Sequence, residues 1–95
     1  MDETEFEKAM ANPRNRMDEI AQLQRAVAAG NRHLLPTIAV TTAINAVADL
    51  AVVASKVEGE QKVEAEQLEQ SLKHAVVGLV RMLVDLARKK EPATV

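Results

Sequence analysis

Counting in sevens from Val40 gives Val40, Val47, Ala54, Gln61, Leu68, Ala75 and Met82. Counting in sevens from Ile44 gives Ile44, Ala51, Glu58, Ala65, Leu72, Leu79 and Leu86. Every position in both series is apolar except Glu58 and Gln61, which flank Gly59. A heptad interrupted at neighbouring seam positions around a glycine predicts two helices joined by a tight turn near residues 57–61. The alternative is one uninterrupted helix of roughly 50 residues, since a single Gly costs a helix only about 1 kcal/mol.

Upstream, Met17, Ile20, Leu23 and Val27 repeat at helical spacing. Asn12 before Pro13 reads as an N-cap and a first helical position, and Gly30 as a left-handed C-terminal cap, so a helix is expected over about 13–29. Thr4 and Glu7 offer a capping box, with Phe6 and Met10 one turn apart, which predicts a separate, short or frayed helix within residues 1–12. The expected fold is all-α: an antiparallel helical hairpin, about 36–57 and 60–90, plus the helix at about 13–29. Residues 91–95 are expected to form a disordered tail, and the whole chain, 1–95, to be a single domain.

Two of these helices are apolar around most of their circumference. Over 36–57 the polar residues Thr41, Thr42, Asn45, Asp49 and Lys56 fall on one narrow line. In the last helix His74, Gly78, Arg81, Asp85 and Arg88 form a similar line, spaced 4, 3, 4 and 3. An amphipathic helix in a lone small domain needs an apolar stripe only somewhat wider than 100°. The surplus predicts a second copy of the chain, with two hairpins completing a helical bundle by dimerisation and helix 13–29 buttressing the outside. Val40, Ile44, Val47, Ala51, Leu72, Leu79, Leu83 and Leu86 are the expected self-association residues. The competing arrangement is a monomer whose helices cover one another. Leu34 to Ala54 is also long enough to span a bilayer, but Asn45, Asp49 and two threonines make insertion expensive.

Composition sharpens this picture. The 95 residues include 16 Ala, 12 Val and 9 Leu but one aromatic, Phe6, so the core must be built from small side chains. A chain of this size buries only about 60–65% of its unfolded surface, which again favours a shared core. There is no cysteine, which removes disulfides, thiolate metal sites and a Cys nucleophile. The acidic start, MDETEFEKAM, is unlike a secretory signal and sets a cytoplasmic expectation.

The net charge of −2 conceals blocks: −4 over residues 2–7, +3 over 8–34, zero over 35–57, −4 over 58–70 and +3 over 71–95. Acids at the start of the last helix and bases at its end match the helix dipole. Arg14, Arg16, Arg25, Arg32 and His33 make the first helix mildly basic, which leaves a dimeric nucleic-acid-binding regulator as an alternative, but Asp18 and Glu19 dilute it.

Catalytic motifs are wanting. His33 and His74 are 41 residues apart, no HExxH pair occurs, and no G-x-G phosphate loop occurs. Glu66 and Glu69 share a face and could hold Mg²⁺ only with acids opposite, for which Asp49 is the one candidate. No cofactor and no metal is therefore implied.

The stretch SLKHAVVGLVRM places Gly78 one turn after His74 on the same face. That spacing resembles the active helix of histidine phosphotransfer domains, all-α bundles whose exposed His accepts a phosphoryl group beside a Gly that clears room for the response regulator. The resemblance covers about five residues, and Val77 stands where that family usually has a Lys. It implies phosphotransfer on His74 as an alternative function.

The expected function is non-enzymatic: a protein–protein interaction module, a small helical homo-oligomer acting as adaptor, chaperone or regulatory subunit. Asn31, Arg32 and His33 in the loop, and Glu64, Glu66 and Glu69 in the acidic cluster, are the expected contacts to another protein partner.

Overall fold

The computed structural model describes residues 1–30 and 37–90. It is all-α, with three helices: α1 (Glu3–Ala28), α2 (Thr37–Lys56) and α3 (Gly59–Lys90). Each packs against the other two. The result is a rod of 60 × 20 × 17 Å with a radius of gyration of 16.1 Å, against about 12 Å for a spherical domain of this length.

Helix α1 differs most from the sequence-based expectation. Rather than a short helix and a second one capped by Asn12, it is continuous from Glu3 through Pro13 to Ala28. The N-cap is Asp2, whose carboxylate accepts the Glu5 N–H at 2.8 Å, in place of Thr4. A proline inside a helix loses one backbone hydrogen bond and costs about 3 kcal/mol. What overrides this is burial along one unbroken stripe: Phe6, Met10, Pro13, Ile20 and Val27 are all buried. Breaking the helix at Asn12 would swing Phe6 and Met10, the bulkiest residues of the core, out of register with Ile20. At the other end Gly30 takes the expected left-handed conformation (φ 86°), and its N–H reaches Val27 O at 3.0 Å.

Between α2 and α3 the chain leaves helical conformation at Val57 and Glu58, and Gly59 has φ 63°. A positive φ is a conformation that a glycine adopts without steric penalty. The long 50-residue helix is thus not what the chain forms. Val57 itself is buried and closes that end of the core.

The buried seam of α3 includes Ala65, Leu72, Ala75 and Leu79, all four drawn from the heptads anticipated from sequence. That of α2 is not as anticipated. Its buried residues are Ala43, Ala46, Leu50, Val53 and Ala54, continuing to Val57, while Ile44 and Ala51 face outward. The helix is turned so that small alanines face inward. With α1 filling the centre, Ala43 and Ala46 let α2 come close, whereas Ile44 would hold it away.

Nor is α1 an outside buttress, because Phe6, Met10, Ile20 and Val27 belong to the same core as Leu50, Leu72 and Leu79. Leu79 has no exposed surface. Leu79→Ala should lower stability by roughly 2–5 kcal/mol, read by urea denaturation followed by circular dichroism at 222 nm. A loss below about 1 kcal/mol would place Leu79 outside the core.

Candidate interaction surface

The residues expected to form a self-association seam divide into three groups. Leu72 and Leu79 are fully buried within the single chain. Val40, Val47, Leu83 and Leu86 are partly buried and packed against the same core. Only Ile44 and Ala51 are exposed. Most of the inner heptad is therefore covered, fully or in part, by the helices of a single chain.

Apolar surface nevertheless remains, and it lies elsewhere. On α2, Ile38 is 81% exposed, Ile44 54% and Val52 51%. On α3, Val63 is 54% exposed, Val77 48%, Val84 43% and Val80 41%. Val63, Gln70, Val77 and Val84 are spaced by seven, so α3 carries a second heptad line on the side away from the core. The signal was present in the sequence but masked by the stronger leucine series on the opposite side. Val63, Glu66, Gln67, Gln70 and Ser71 line a shallow open cleft along this outer face.

By length and composition α2 is apolar enough to cross a membrane, and the core helices of water-soluble proteins meet the same criterion. Here 28% of that span is buried, by residues such as Ala43, Ala46, Leu50 and Val53 set among protein side chains, and the rest is at least partly exposed. Thr41 and Thr42 donate their hydroxyls to the carbonyls of Thr37 and Ile38 at 2.9 and 2.7 Å, which hides two polar groups against the helix itself.

The expected partner-contact residues are likewise divided. Glu64 accepts from Arg14 of α1 at 3.0 Å, and Arg14 also pairs with Glu7 at 2.6 Å. Glu7 and Arg14 straddle Pro13, so this three-residue cluster ties both sides of the proline to α3. Glu69 pairs with Lys73 at 3.0 Å, and its side chain is mostly covered. Glu66 is exposed and forms no ion pair among the described residues. Asn31, Arg32 and His33 lie outside the described residues.

His74 is exposed, but Gly78 does not share its setting. Gly78 faces α1, where a Cβ would come within 3.2 Å of Gln24 Nε2. That amide donates to the carbonyl of Ala75 at 2.8 Å. The glycine makes room for a side chain of the same molecule, and the resemblance to a phosphotransfer helix loses its partner-clearing feature. Among the described residues no three His, Asp or Glu side chains gather as a metal site. Asp49, which would have to oppose Glu66 and Glu69 in such a site, is exposed on α2.

The hydrogen bond from Arg14, reinforced by its charge, holds the Glu7 carboxyl below the usual glutamate range. A carboxyl depressed on folding contributes stability that is present above its unfolded pKa and disappears as pH falls through its folded pKa. Arg14→Ala should therefore flatten the acid side of the stability profile, most visibly from about pH 5 downward. Urea midpoints of the two proteins between pH 7 and pH 3 measure this; parallel profiles would show that the pair is solvated and without consequence.

No protein-family model, no curated protein and no solved structure matches this chain.

Proposed function

We propose that this protein is a non-enzymatic protein–protein interaction module that works as a homo-oligomer, an adaptor, chaperone or regulatory subunit. In this reading α2 and α3 form an antiparallel hairpin about Val57 and Glu58, α1 completes the core of each copy, and the outer faces do the binding. The observation that carries it is the set of seven exposed valines and isoleucines on α2 and α3, in a rod whose core is already closed. Single exposed apolar residues are ordinary on a protein surface; aligned ones on the same face of a helix mark a binding surface.

Two of the bases of α1, Arg14 and Arg16, support this reading over nucleic-acid binding. Arg14 is paired with Glu7 and Glu64, and Arg16 with Glu19 at 3.1 Å, so both guanidinium groups are already engaged by carboxylates. Phosphate contacts would have to break these pairs.

Magnitudes set the strength of association. Fully burying a Val or Ile returns roughly 1.5–3 kcal/mol, so covering one that is half exposed returns about 1 kcal/mol. Four such residues on each of two copies give about 8 kcal/mol, within the range of about 4–15 kcal/mol that association costs. The expected complex is therefore reversible and concentration-dependent rather than obligate. Size-exclusion chromatography with light scattering, detected by refractive index because the chain has no Trp or Tyr, should give twice the 10.3 kDa chain mass at high concentration and fall toward the chain mass on dilution. A mass of one chain at every concentration would overturn the homo-oligomer.

A further inference from the structure

We infer that the outer face of α3 is the self-association surface, and that it takes α3 of a second copy in antiparallel orientation about a two-fold axis near Lys73 and His74. This rests on the homo-oligomeric reading and specifies its interface. The face is a line of exposed Val63, Gln70, Val77 and Val84, with Val80 beside it. Its seven-residue spacing keeps the line on one side of the helix for about two turns on either side of Gln70 and Val77, as a helix–helix contact needs. Its four valines are each 41–54% exposed within the chain.

Charge selects both the occupant and the orientation. Residues 58–70 hold five acids and one base, whereas residues 71–90 hold five bases and one acid. The surface is thus self-complementary, with the sign reversing near its midpoint. A parallel partner would set Glu60 and Glu66 against the same residues, and Arg81 and Arg88 against theirs. An antiparallel partner sets acids against bases at both ends, and a two-fold axis supplies that match twice from one sequence.

The apolar positions agree with the same axis. When Val63 lies opposite Val84 of the second copy, Gln70 lies opposite Val77, Glu66 comes level with Arg81, and Glu60 lies one residue out of level with Arg88. Glu66, Arg81 and Arg88 form no ion pair within the chain among the described residues, which leaves them for this contact. The two copies of Lys73 approach the axis, but each is already paired with Glu69 of its own chain at 3.0 Å.

The test uses the full chain and its lack of cysteine. Val77→Glu should weaken self-association at least tenfold by light scattering, with the helical circular dichroism unchanged, and Ile44→Glu on α2 should leave it within twofold. Mixed Val63→Cys and Val84→Cys proteins, oxidised in air, should give mainly the 63-to-84 crosslinked pair. If Val77→Glu leaves the oligomer intact while Ile44→Glu dissolves it, the interface is on α2: the assignment to α3 fails and the homo-oligomer stands. If Val63→Cys crosslinks mainly to itself, the antiparallel arrangement is overturned. A wild-type monomer at all concentrations removes the homo-oligomer and this interface together.

Discussion

Everything in this molecule depends on the burial of one stripe of α1 between the other two helices. Helices α2 and α3 meet largely through Ala, Val and Leu, which lack the bulk to fill a bundle on their own. Phe6, Met10, Pro13, Ile20 and Val27 supply that bulk from a single helix face. The stripe also explains why α1 tolerates a proline in its interior, since a break there would separate its two halves and leave the upper part of the core empty. Arg14 holds the same point from outside, linked to Glu7 across the proline and to Glu64 on α3.

With the core closed in this way, each of the other helices has a free back. A 32-residue α3, roughly 48 Å long, buries Ala65, Leu72, Ala75 and Leu79 on one side and exposes Val63, Val77, Val80 and Val84 on the other. The exposed valines form a second apolar line on the same helix. The reversal of charge along the same helix gives that line a direction, and a direction is what separates a specific contact from a sticky surface.

The sequence was read correctly where bulk and burial coincide. Leu72 and Leu79 declared the inner seam of α3, Gly30 declared a helix end, and the Glu58–Gly59 interruption placed the break between α2 and α3. Ile44 falls in the same heptad as Leu72 and Leu79 and is expected with them in a self-association seam; within one chain it is exposed, while the smaller Ala43 and Ala46 are inside. Elsewhere local pattern and tertiary burial part. Pro13 looked like a helix start because local propensity says so, and tertiary burial overruled it. Gly78 looked like clearance for a partner, whereas its space is filled by Gln24 from α1, a contact between residues over 50 positions apart that no local pattern announces. The outer valine line of α3 was legible all along, but only knowledge of which face α1 and α2 cover shows that it is left over.

The central claim is that apolar surface is divided between an inner seam closed within one chain and an outer line closed only by association. Methyl NMR with a soluble paramagnetic probe, at dilute and at concentrated protein, tests this most directly. Leu50, Leu72 and Leu79 should be shielded at both concentrations, while Val63, Val77 and Val84 should be exposed when dilute and shielded when concentrated. Exposure of Leu72 and Leu79 on dilution would mean that the core itself is shared between chains, and would contradict the division.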